Sequence, residues 1–295
     1  MHVRMSTAPG MWGVESSRAP GNPPWGFVLD SMADVGFTGT ELGPLGYLPE
    51  RADVLREALR ARALGLSAGF VMEPFHDPSR TADIAEAARR TCMLLRDAGA
   101  TQLVLIEALV AARSRTAGRS HEAARLGEAA WQQLLTTAGS IAALAIEHGL
   151  EVTFHPHAGT YVEFEDEIER LMAGLDESVG LCLDTGHATY AAIDPVVLAR
   201  TYAGRVRHVH LKDVRPDVLD GCLADGRTFT QAVEAGVFCP LGDGVVDFAA
   251  IRDALADAGY RGWATIEQDR VSDHGDPRAD AQASLEHARR IGLAP

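Results

Sequence analysis

Eight short runs of β-branched or apolar residues alternate with longer segments of helical periodicity along the whole chain, and this alternation limits the fold more than any other feature. The runs lie near residues 11–15, 38–41, 66–70, 102–106, 151–154, 180–183, 206–209 and 264–266. Between them, stretches such as 83–98, 121–148 and 164–173 repeat Leu, Ile and Ala at three- and four-residue intervals, the spacing of an amphipathic helix. Strands joined by helical crossovers must run parallel, and eight such units predict closure into one α/β domain, a (β/α)₈ barrel spanning residues 1–295. No composition break marks a second domain. The least regular stretch, 214–245, is rich in Gly, Asp and Pro and is expected to form a loop with a short helix covering the barrel mouth.

With 27 basic against 41 acidic residues, the chain carries a formal charge of −14. Nucleic-acid binders concentrate Lys and Arg, so a phosphate backbone is excluded as a partner and a small soluble polyol or keto-sugar is expected, with homo-oligomerisation left open. Cys92, Cys182, Cys222 and Cys239 lack CxxC spacing and read as reduced core thiols. The N-terminal MHVRMSTAPG has no apolar signal stretch, and no run of about eighteen apolar residues occurs. The expectation is a cytoplasmic protein with no membrane association.

Active sites of such barrels lie at the C-terminal ends of the strands, so polar residues that terminate apolar runs carry the chemistry. The fifth run ends in Phe154-His155-Pro156-His157 and the sixth in Leu183-Asp184-Thr185-Gly186-His187. The seventh ends in His208-Val209-His210-Leu211-Lys212 and the eighth in Ile266-Glu267-Gln268-Asp269. Five of the chain's 11 histidines fall in three consecutive strand ends, too concentrated for scattered surface residues. His, Asp and Glu are ligands for a divalent metal, and ligands from successive strands converge on the barrel axis. The strand period of two puts His155 with His157 and His208 with His210 on one side. His210, Asp184 and Glu267 read as metal ligands, whereas His208, deeper in its strand, reads as a core histidine. Lys212 falls on the side of His210, nearer the mouth, where an ammonium can transfer a proton or neutralise an oxyanion. Glu41, Glu73 and Glu107 end or follow earlier strands, placed either to bind substrate hydroxyls or to pair locally.

The DTGH, HVHLKD and IEQD stretches, with GTELGPLGYLP near the start and PLGDGVVDF before the last strand, resemble the xylose-isomerase-like superfamily of sugar isomerases and epimerases, and within it the inosose dehydratases. The resemblance runs over nearly the whole chain. It implies a metal-dependent barrel whose ligands from strands five to eight are Glu, Asp, His and Glu; Asp184, His210 and Glu267 match the last three. The strand-five position is occupied by His155, so the fourth ligand is His155, His157 or water. Mn²⁺ or Co²⁺ is the favoured ion, with Zn²⁺ or Mg²⁺ as alternatives. The resemblance also assigns His157 and Lys212 to proton transfer, His187 to the substrate or a second metal, and Arg215 to the substrate; Glu41, from its strand end, is expected to bind the substrate. The implied reaction is dehydration of an inosose such as 2-keto-myo-inositol through an enediolate. Epimerisation or isomerisation of a ketose, and a non-catalytic carbohydrate-binding role, are the alternatives.

Overall fold

A computed structural model of the protein describes residues 3–270 and 275–295. Its strands are β1 (Arg4–Thr7), β2 (Gly39–Thr40), β3 (Gly65–Leu66), β4 (Ala68–Glu73), β5 (Gln102–Glu107), β6 (Glu151–Phe154), β7 (Val179–Asp184), β8 (Val206–Leu211), β9 (Asp213–Val214), β10 (Phe238–Cys239) and β11 (Trp263–Ile266). Nine of these form one parallel sheet in the order β3-β2-β1-β11-β8-β7-β6-β5-β4. β3 and β4 are two halves of one bent strand separated by Ser67, whose N–H donates to Thr40 O at 2.9 Å. Leu42 N–H donates to Ala68 O at 2.9 Å, so the two ends of the sheet meet and eight barrel strands close on themselves.

The strand period of two sorts the side chains. Leu103, Leu105, Val152, Phe154, Leu181, Leu183, Val209, Leu211 and Ile266 face outward into the core shared with the helices. Ala68, Val104, Ile106 and Cys182 form a separate apolar cluster with Phe70 and Met72, filling one side of the barrel interior. The interior's other side is polar: Ser6 Oγ lies 2.7 Å from Thr265 Oγ1, which donates to Glu41. Sheet geometry adds one adjustment. β7 pairs with β8 at Leu181–Val206, but an irregularity at the next residue advances β8 by one, so Cys182 pairs with His208 and Asp184 with His210. Without that bulge Asp184 would stand opposite Val209.

The structure corrects the first strand, which spans Arg4–Thr7 rather than 11–15. Pro9 starts a 3₁₀ turn over Pro9–Trp12 that ends at Gly13 in the left-handed region, so the apolar residues of that run are buried in a turn above the barrel. Residues 214–245 hold helices Pro216–Ala224 and Phe229–Glu234, and β9 pairs antiparallel with β10. All four cysteines are buried free thiols. Among the described residues no helix is long and apolar enough to cross a membrane.

Candidate metal centre and active site

Two cavities lie at opposite ends of the barrel. The larger, about 600 Å³, opens at the N-terminal end among Arg4, Arg207, Tyr260 and Trp263. The smaller, about 150 Å³, opens at the C-terminal end and is lined by His155, His157, His187, His210, Lys212, Glu267 and Asp269, with Phe70, Met72 and Ile106 as an apolar wall. Chemistry rather than size marks the second as the site, because metal-ligand types converge there.

Asp184 at the end of β7, His210 in β8 and Glu267 just after β11 bring ligand atoms within 4.8 Å of one another, as do His155, Asp184 and His187. His210 Nδ1 lies 3.1 Å from Glu267 Oε2 and 3.6 Å from Asp184 Oδ2, and His155 Nε2 lies 3.4 Å from the same Asp184 oxygen. His155 Nδ1 donates to the carbonyl of Pro156 at 2.7 Å, which leaves the lone pair on Nε2, facing Asp184. Asp184 Oδ2 and His210 Nδ1 are buried and make no hydrogen bond. Such atoms are costly to bury without a partner, and a divalent cation with nitrogen and oxygen ligands satisfies both. The residues present therefore fit the ion that the sequence implies.

Lys212 is fully buried beside this group. Its Nζ lies 3.0 Å from Asp269 Oδ1, 3.3 Å from Asp184 Oδ2 and 3.5 Å from Glu267 Oε2. Burial opposes its charge, but those three carboxylates outweigh burial and hold its pKa above the ordinary lysine value. It therefore stays an ammonium. His157 is the opposite case: burial, then the proximity of His155 and Lys212, hold it well below the usual histidine pKa. Its Nδ1 donates to Ala158 O at 2.8 Å, so Nε2 carries a free lone pair at the cavity wall. The His187 ring stacks on His157 with centroids 3.7 Å apart, and His187 Nε2 lies 3.0 Å from Lys212 Nζ.

The remaining expected residues separate. Glu41 lines the cavity, but its Oε1 already accepts from His208 Nε2 at 2.7 Å, His210 Nε2 at 3.0 Å and Thr265 Oγ1 at 2.8 Å. Arg215, expected at the substrate, is turned away: its Nη1 donates to Gly236 O at 2.9 Å, across the small sheet of β9 and β10. Glu73 pairs with Arg80, and Glu107 with His76 at 2.6 Å. Two carboxylates join the site without having been singled out. Asp269 follows Glu267 by two, so strand alternation alone points to it. Glu15 stands at the rim with much of its surface open to water. Protein packed around its carboxylate, and the charge of Asp269, nonetheless push its pKa up to about 8. It ends the apolar run 11–15, so the signal that picked out the other strand ends was present, but a turn after β1 rather than a strand end brings it there.

The excursion after β8 packs against the site residues. Phe229 packs on His157 with centroids 5.4 Å apart, and Phe238 lies 5.3 Å from Lys212 Nζ. Both aromatics belong to a separate apolar cluster with Tyr190, Val214 and Leu219.

The family model described as xylose isomerase-like TIM barrel matches residues 29–291. The chain belongs to this family. Members similar to it include the rhizopine catabolism protein MocC of Rhizobium meliloti, 32% identical over 100% of this chain and 90% of that protein. The inosose dehydratase of Geobacillus kaustophilus is 34% identical over 90% of this chain and 86% of its own. Among solved structures, the IOLI protein with a binding zinc atom superposes with a TM-score of 0.75 at 13% identity, covering 98% of both chains. In this family the chain is an enzyme of the hydro-lyase type, with sugar epimerases as its structural neighbours.

Proposed function

We propose that this protein is a metal-dependent dehydratase of an uncharged, inosose-type polyhydroxy ketone. The observation that carries the reading is the pair of buried, unpartnered atoms, Asp184 Oδ2 and His210 Nδ1, aimed at one point beside His157 and Lys212. His155, Asp184, His210 and Glu267 would hold the ion, which when bound would supply Lewis-acid polarisation of the substrate carbonyl.

The protein's own residues account for the proton movements. His157 Nε2, neutral and free of hydrogen bonds, takes the proton from the carbon α to the ketone as the C–H electron pair becomes the enediolate. The β C–O bond then breaks, and the Lys212 ammonium donates to the departing oxygen, which leaves as water. A departing hydroxide is a stronger base than a lysine amine, so even a lysine with a raised pKa can deliver this proton. The enol relaxes to a diketone. His187, stacked on His157 and beside Lys212, holds both groups in register and meets the substrate at its edge. Phe229 and Phe238 keep bulk water from the enediolate. The inosose dehydratase relatives support the substrate class.

The test is to incubate enzyme loaded with Mn²⁺ or Co²⁺ with a panel of inososes and ketoses in D₂O and follow the products by NMR. Loss of water from an inosose is expected. Deuterium exchange with inverted configuration and no dehydration would make the protein an epimerase instead, and no turnover of any panel member would overturn the reading.

A further inference from the structure

We propose that Glu41 is the positioning residue that selects the tautomer of His210, and thereby which of its nitrogens faces the ion. This rests on the reading that His210 is a ligand. Glu41 follows β2, on the far side of the barrel interior from β7, and is buried. Its Oε1 is the common acceptor for His208 Nε2, His210 Nε2 and Thr265 Oγ1. Ser6 Oγ lies 2.7 Å from Thr265 Oγ1, so side chains within β1, β8 and β11 fix the carboxylate in place.

A neutral imidazole has one N–H and one lone pair, so what one nitrogen does decides the other. A carboxylate oxygen accepts hydrogen bonds, and Glu41 Oε1 sits where His208 Nε2, His210 Nε2 and the Thr265 hydroxyl all point at it. Its hydrogen bond therefore puts the His210 proton on Nε2 and leaves the lone pair on Nδ1. That Nδ1 is the unpartnered atom 3.1 Å from Glu267 and 3.6 Å from Asp184. His155 is set the other way round, with Nδ1–H on the Pro156 carbonyl and Nε2 facing Asp184. The two imidazoles thus present opposite nitrogens to one point. For His155 the device is a backbone carbonyl of the next residue; for His210 it is a carboxylate 169 residues away. Anchoring of this kind typically carries 10- to 100-fold in metal affinity.

Three measurements test this on the full chain. ¹⁵N-histidine NMR of wild type loaded with diamagnetic Zn²⁺, with His210→Gln to assign the resonance, should find the His210 proton on Nε2; a proton on Nδ1 overturns the proposal without any change at Glu41. Titration with Mn²⁺ against a competing chelator should show Glu41→Gln binding roughly 10- to 100-fold more weakly than wild type. Unchanged affinity in a folded Glu41→Gln overturns the proposal. Glu41→Gln should also populate the Nδ1–H tautomer of His210, because the side-chain amide offers a donor as well as an acceptor; weakened binding with an unchanged tautomer would mean that only the charge of Glu41 matters, and overturns it too. If wild type itself binds no Mn²⁺, the ligand assignment fails and this inference goes with it, whereas wild-type binding with no effect at Glu41 sinks the inference alone.

Discussion

Lys212 has an environment of carboxylates, imidazole and an aromatic face, and these neighbours come from three separate parts of the chain. Replacing it with Met removes the charge and keeps most of the unbranched chain. We expect Lys212→Met to lower kcat by roughly 100-fold or more, the range of a lost general acid or oxyanion contact, while metal content by elemental analysis stays at wild type. A normal kcat would leave Lys212 as a counter-ion for Asp184 and Asp269 alone. The roles of His155 and His157 divide in the same way. His155→Ala should weaken Mn²⁺ binding, whereas His157→Ala should retain the ion and lose turnover; the reverse pattern would exchange them. The sequence placed both on one strand face, but their division of labour needed the hydrogen bonds to the Pro156 and Ala158 carbonyls.

Two elements shape the site through the close approach of a glycine backbone. The short helix Thr185–Tyr190 begins directly on β7, and a Cβ at Gly186 would lie 2.5 Å from Lys212 Cγ and 2.7 Å from its Cβ. Those atoms are next to the backbone and cannot swing aside. Gly186→Ala should therefore displace the ammonium and lower kcat at least tenfold with little loss of metal, since a misplacement of about 1 Å can cost 100-fold. The second element is the turn after β10. The buried Asp213 carboxylate accepts backbone N–H groups from Val214, Gly242, Gly244 and Val246 at 2.8 to 3.0 Å, and a Cβ on Gly244 would meet Asp213 Oδ1 at 2.3 Å. This explains why PLGDG carries Gly244 and why the excursion is held by hydrogen bonds rather than left as a loose loop. Asp213→Ala strands four donors and should destabilise the protein by roughly 2–4 kcal/mol in urea unfolding. A loss under 0.5 kcal/mol would show that other acceptors replace the carboxylate.

At the scale of the whole molecule, an ion held as proposed by groups at the ends of β6, β7, β8 and β11 would bind only the closed barrel. Free Mn²⁺ at 100 times its Kd should stabilise wild type by about 2.7 kcal/mol, read as a higher Tm that a chelator reverses. A second whole-molecule effect comes from Glu163, which with Glu167 clamps the fully buried Arg113 between the loops after β5 and β6. Burial pushes the Glu163 carboxyl up to about 7 from 4.5, only partly offset by the Gly118 and Gly159 N–H groups and Arg113. A carboxyl with a raised folded pKa binds its proton better in the folded state. Its contribution is thus full below about pH 4.5, declines as pH rises to about 7, and then stays flat, an effect on the order of 3 kcal/mol. Glu163→Gln should flatten that fall in the pH profile of unfolding free energy; an unchanged profile would place the titration elsewhere.

Periodicity is a local property, and it settled what is local. Alternation of short strands with amphipathic helices dictated the parallel barrel, and the strand period of two dictated that Asp184, His210, Lys212 and Glu267 face inward at one end. Where hydrogen bonds join residues far apart in the chain, periodicity carries no information. Burial with few near-sequence partners put Glu41 on His208, His210 and Thr265; the bulge in β8 brought His210 opposite Asp184; β10 drew Arg215 off the cavity; and a turn after β1 carried Glu15 to the rim. These are decisions of register and long-range pairing, made only when the barrel closes and each buried donor must find its acceptor.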